Sequence, residues 1–122
     1  MQPEIVEYVV QERHLTTLQL PQFRKDLVTL ARKGPRGVLL NLTRLESLDS
    51  ATLGVIVLLA RLLPSPARVC MFGARREIRT LCEVLRINAV IGIAETREEA
   101  VAEIHEYLAR KMKLRQTVGS AS

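Results

Sequence analysis

Among the side chains that could do chemistry, Asp49 and Ser50 have the most suggestive setting. They close a polar turn and open an apolar stretch that runs to Leu63, too long for a strand and rich in Leu and Ala, so it reads as a helix. An Asp or Ser at such a start caps the helix, its side-chain oxygen accepting a hydrogen bond from an otherwise unpaired backbone N–H. The same N–H groups, with the positive end of the helix dipole, can also accommodate a phosphate carried on Ser50. Two roles are therefore open to the pair: a structural cap, or an acceptor for a regulatory phosphate.

Other reactive residues lack the partners that catalysis needs. His14 and His105 are far apart and have no ligand pattern around them. Ser50 sits in no GxSxG elbow, and Gly34 to Gly37 lacks the GxxxxGK[ST] spacing of a phosphate-binding loop. Glu98-Glu99 and Glu103-Glu106 fall on one helix as solvating charge. Cys70 and Cys82 form no CxxC pair, which leaves them as reduced core thiols of a cytoplasmic protein rather than metal ligands. We therefore expect no enzyme activity, no cofactor and no metal.

The elements that would hold Asp49-Ser50 in place follow from periodicity. Ile5 to Val10 is β-branched and strand-like, whereas Gln11 to Leu20 could extend that strand, form a hairpin or lead into a helix. Pro21 suits a helix start, with Phe23, Leu27, Leu30 and Ala31 inward until Gly34-Pro35 ends it. Val38 to Leu42 is the most continuous apolar strand and is expected at the centre of a sheet, between Ile5 to Val10 and Ala67 to Phe72. In the helix after Ser50, Leu53, Ile56, Val57, Ala60 and Leu63 are expected to form the inner stripe. Pro64-Ser65-Pro66 breaks the chain before the strand Ala67 to Phe72, parallel to Val38 to Leu42. Arg75 to Leu85 reads as an amphipathic helix with Ile78, Leu81, Cys82 and Leu85 inward, and Val90 to Ala94 as a further strand. Thr96 with Glu99 makes a capping box for a last helix ending near Met112, with Ala100, Val101, Ile104, Tyr107 and Leu108 inward.

A chain of 122 residues fits one domain, here residues 1–115, followed by a flexible tail over residues 116–122. An aromatic content of 3% rules out base stacking as a general mode of action and requires an aliphatic core. The net charge of +5 is spread over separate faces, from Arg24-Lys25 to Arg110-Lys111, with no nucleic-acid-binding motif, so no sequence-specific nucleic acid recognition is expected. Val55 to Leu63 is too short for a membrane span, which needs about 20 apolar residues.

The stretch NLTRLESLDSATLGVIVLL resembles the signature of the STAS domain, in particular that of anti-sigma factor antagonists, N-L-x-x-[LV]-x-[FY]-[ILM]-D-[ST]-[ST]-G-[LI]-G-[VA]-[LI]. Asn41, Leu42, Leu45, Leu48, Asp49, Ser50, Leu53, Gly54, Val55 and Ile56 match it without gaps, while Ala51 stands at a usual Ser or Thr and Thr52 at a usual Gly. The resemblance implies an α/β fold: a small, mixed, mostly parallel sheet of four or five strands with helices packed on it. It makes Ser50 the phosphate acceptor, with Thr52 the second choice, and Asp49, Ser50, Thr52, Leu53 and Gly54 the partner-binding residues. The implied partners are an anti-sigma factor with serine-kinase activity and a serine phosphatase, with release of a sigma factor as the outcome.

Extending the alignment towards the N-terminus makes Ile5 to Val10 the second family strand and leaves no sequence for the first. It also puts Arg13 and Leu15 where antagonists carry Gly-Glu-[LIV]-Asp. Those departures fit an alternative, a STAS scaffold subunit of a stressosome-like or lipid-transport assembly, in which the domain packs constitutively as part of a homo- or hetero-oligomer. A small-molecule sensor would need a pocket, and a basic nucleic-acid- or membrane-associated module would bind in a salt-sensitive way.

Overall fold

A computed structural model describes the backbone of residues 4–121 and the side chains of residues 4–114. The lead from Met1 to Pro3 lies outside the described residues. In chain order the elements are β1 (Ile5–Val9), β2 (His14–Leu15), α1 (Leu20–Arg32), β3 (Gly37–Asn41), β4 (Ser47–Leu48) and α2 (Ser50–Leu62). They continue with β5 (Arg68–Phe72), α3 (Arg76–Val84), a 3-10 turn (Ile87–Ala89), β6 (Gly92–Ala94) and α4 (Arg97–Ala121). The last helix thus extends beyond its expected end near Met112; the side chains of the expected tail, residues 116–122, lie outside the described residues.

The main sheet has four strands in the order β1-β3-β5-β6, and each of its ladders is parallel. β3 therefore lies inside the sheet between β1 and β5, as its continuous apolar run predicts. Because successive side chains point to opposite faces, that run feeds two cores. Val38 and Leu40, with Val69 and Met71 of β5, pack under α1, α2 and α3. Leu39, Cys70 and Phe72 meet Ala100, Ile104 and Leu108 of α4 on the reverse face.

Arg68 and Glu103 clip α4 to the sheet at the margin of the reverse core. The Arg68 Nη2 to Glu103 Oε1 distance is 2.6 Å, Nε donates to the same oxygen at 2.9 Å, and the guanidinium lies 4.5 Å from the Tyr107 ring centroid. A Cβ at Gly92 would come within 2.5 Å of Glu103 Oε2 and 2.8 Å of Cys70 Sγ, so the carboxylate can settle over β6 only because that position has no side chain. Capping at Thr96 is present, its hydroxyl accepting from the Glu99 N–H at 3.2 Å. Glu99 itself accepts from the Glu95 N–H rather than closing the reciprocal box.

Leu85, Val57 and Ala60, expected inward, are less buried than that. Leu85, expected inward, is 44% exposed, because α3 ends at Val84 and Arg86 turns the chain through a left-handed conformation at φ 58°. In α2 the buried stripe is Thr52, Leu53, Ile56 and Leu59, with Leu63 just past the helix end, while Val57 and Ala60 are half-buried. The stripe is shifted round the helix because α2 rests against both α1 and β5.

Cys70 and Cys82 are free, buried thiols. Burial and the nearby Glu103 carboxylate push Cys70 up to about 12, and burial also raises Cys82. Since the thiolate is the reacting species, neither residue should be labelled by a thiol reagent at neutral pH in the folded protein, and both should be labelled in denaturant. Fast labelling of either in native buffer would show that its core opens readily.

Candidate functional site

Asp49 and Ser50 are held by the two-stranded parallel ladder of β2 and β4, in which His14 pairs with Ser47 and Leu15 with Leu48. The ladder forms because the loop after β1 comes back beside the loop after β3. The Arg13 carbonyl accepts from the N–H groups of Glu46 and Ser47, and the Leu15 carbonyl accepts from the Asp49 N–H at 3.3 Å. Leu15, Leu42 and Leu45 anchor these loops in the core. The ambiguous stretch from Gln11 to Leu20 thus contains a two-residue strand, then the turn into α1. Neither two-residue strand is long enough to produce a recognisable alternation in sequence.

Asp49 is extended, with φ −101° and ψ 171°, and caps α2. Its Oδ1 accepts from the Thr52 N–H at 2.9 Å and the Thr52 hydroxyl at 2.8 Å. These bonds, the backbone one first, hold the Asp49 carboxyl below the ordinary carboxylate range. It is therefore an anion at neutral pH. Ser50 is exposed as the first residue of α2, where the opening turn leaves N–H groups without intrahelical partners.

The five residues named at the sequence level divide by burial. Ser50 and Gly54, one turn apart and so on one side of α2, are exposed, and Asp49 is half-buried beside them. Thr52 and Leu53, expected to touch a partner, are buried instead. Thr52 fills the place the signature gives to Gly, and its hydroxyl also approaches the Leu15 carbonyl at 3.4 Å, so it ties the helix start to β2.

Four further charged or titratable side chains emerge at this end of the sheet. Glu46 lies 3.4 Å from Arg75, 3.9 Å from Arg13 and 3.9 Å from His14, whose Nδ1 is 2.6 Å from Ser47 Oγ. Sequence reading counted Arg75 among the solvated basic faces, placed Arg13 by alignment and gave no reason to group them; the β2–β4 pairing brings residues more than 30 positions apart together. Among the described residues, no group of three His, Cys, Asp or Glu side chains could hold a metal ion, and no helix is long and apolar enough to cross a membrane.

The family model of the STAS domain matches residues 3–100, spanning both loops and all of α2. The chain belongs to the STAS domain family. Its fold is shared with several solved structures. An anti-sigma factor antagonist from Mycobacterium paratuberculosis aligns with a TM-score of 0.75 at 13% identity, covering 82% of this chain and 86% of that one. The Bacillus cell fate determinant SpoIIAA in its phosphorylated form gives 0.59 at 20% identity, over 84% and 93%. The STAS domain of a SulP transporter from Vibrio cholerae gives 0.62 at 13% identity, over 95% and 88%. No curated protein sequence matches the chain. At these identities the likeness is one of fold, and it bears out an α/β STAS architecture, here with a four-stranded sheet whose ladders are all parallel.

Proposed function

We propose that this STAS domain is a cytoplasmic, non-enzymatic binding module of the anti-sigma factor antagonist type, switched by phosphorylation of Ser50. The observation that carries the reading is an exposed serine directly after a capping aspartate at the first turn of α2, in a chain of this family. The partner is an anti-sigma factor with serine-kinase activity, and a serine phosphatase restores the binding form. Ser50, Gly54 and the half-buried Asp49 provide the contact surface. Thr52 and Leu53 support it from beneath, and the internal bonds of the Thr52 hydroxyl make it a poor phosphate acceptor.

Constitutive packing as a scaffold subunit has one specific observation in its favour. The segment lying against Asp49 presents Arg13 and Leu15, not the acidic residues of antagonists. Phosphate mapping separates the two readings. After incubation with ATP and the anti-sigma factor kinase of the same organism, the wild type should carry one phosphate, on Ser50; Thr52→Val should do likewise, and Ser50→Ala should carry none. A wild type that remains unmodified would favour the scaffold.

A further inference from the structure

His14 and Ser47 face each other across the β2–β4 ladder, and the alternation that buries Leu15 and half-buries Leu48 turns both of them to solvent. Their side chains meet. His14 Nδ1 lies 2.6 Å from Ser47 Oγ, within the reach that a general base needs to a hydroxyl proton. On the other side of the ring, Nε2 lies 3.9 Å from Glu46 Oε2. A carboxylate there favours the tautomer with its proton on Nε2, which leaves the Nδ1 lone pair directed at the Ser47 hydroxyl. Nucleophile, base and carboxylate follow one another as in a hydrolytic triad, with the two ring nitrogens exchanged.

The STAS signature has Phe or Tyr where Ser47 stands, so the hydroxyl belongs to this chain and not to the general pattern. Ser50 is also exposed, yet among the described residues no histidine is bonded to it. The surroundings of Ser47 fit an acceptor that is modified once, not a turnover enzyme. The N–H groups of Glu46 and Ser47 donate to the Arg13 carbonyl and that of Asp49 to the Leu15 carbonyl, so none of the three is free to stabilise an oxyanion. An acyl group placed on Ser47 therefore gains no such help towards hydrolysis.

We propose that Ser47 is a site of covalent acylation by small activated carboxylic esters, with His14 as its base and Glu46 as the residue that positions the imidazole. Ser47 Oγ bonds to the carbonyl carbon as its proton passes to His14 Nδ1. The bond from that carbon to the leaving oxygen then breaks, the oxygen departs with the electron pair, and His14 releases the proton to it or to water. Nothing is oxidised or reduced. The product is an O-acyl serine two residues before Asp49, a neutral group at the edge of the surface that carries Ser50.

The test is to treat the full chain with p-nitrophenyl acetate at mildly alkaline pH and to locate the acetyl groups by peptide mass spectrometry. In the wild type Ser47 should be acetylated about a hundredfold faster than Ser50, the scale of general-base assistance. His14→Gln, whose amide can still bond the hydroxyl but takes no proton, should bring the Ser47 rate down to that of Ser50, with thermal melting to check the fold. Ring-nitrogen shifts of the isotopically labelled wild type should place the imidazole proton on Nε2; Glu46→Gln should reduce that preference and slow the acetylation severalfold. The proposal is overturned if acetyl groups appear only on amines, if Ser47 reacts no faster than Ser50, or if a folded His14→Gln protein reacts at the wild-type rate. It is also overturned if the proton lies on Nδ1, because the hydroxyl would then accept the hydrogen bond and gain no nucleophilicity. None of these outcomes involves a kinase, so the phosphorylation of Ser50 stands or falls separately.

Discussion

Truncation of Leu40 to alanine is expected to cost about 2–5 kcal/mol of folding free energy, the range for emptying a packed aliphatic site. Leu40 is fully buried in β3, inside the sheet, and faces the larger core under α1, α2 and α3. Hydrogen-bonded strands on both sides prevent β3 from shifting to close the cavity. A domain of this size is stable by only about 5–15 kcal/mol, so the loss should appear as a large fall in the urea midpoint with little change in slope. Leu18→Ala is the matching control, because Leu18 is 87% exposed and should change the midpoint very little. Equal effects of the two substitutions would contradict the two-core arrangement.

The same burial explains why so much of the fold could be read in the sequence. GVLLN is apolar on both of its faces, and only a strand covered on both sides tolerates that, which puts β3 inside the sheet before any coordinates are known. The helices on either side of it follow from Pro21, Gly34-Pro35 and Pro64-Ser65-Pro66, residues that cannot continue the pattern. Where such punctuation is missing, the reading goes astray. Nothing near Leu85 announces a helix end, since the left-handed turn falls on an arginine and not on Gly or Asn.

The candidate site was legible only where it depends on local chemistry. Asp49 caps α2 as an Asp before an apolar helix should. The burial of Thr52 was not legible, because it depends on the Leu15 carbonyl, 37 residues earlier, and hence on the β2–β4 ladder. The grouping of Arg13, Glu46 and Arg75 escaped notice for the same reason: they lie on three separate loops that only the parallel sheet brings to one end.

Ser50→Asp should weaken binding to the proposed partner, an anti-sigma factor, by about tenfold or more, while Ser50→Ala should bind as the unmodified wild type does. The two effects have opposite relations to stability, which makes the comparison informative. A carboxylate at the first turn of a helix interacts favourably with the dipole, so Ser50→Asp should fold at least as well as the wild type. Its weaker binding would then arise at the interface, where the added charge must be desolvated. The cost is larger because Asp49, kept ionised by its bonds to Thr52, lies directly beside it and a partner would meet two adjacent anions. A phosphate carries more charge than a carboxylate and should weaken binding further. Asp49→Asn separates charge from capping, since Asn caps a helix as Asp does; combined with Ser50→Asp it should recover part of the lost affinity. Calorimetric titration of the wild type, both single Ser50 variants and the double variant measures these differences. If Ser50→Asp binds as tightly as Ser50→Ala with both folds intact, charge at the start of α2 is not the switch, and constitutive packing as a scaffold subunit becomes the better account of the surface.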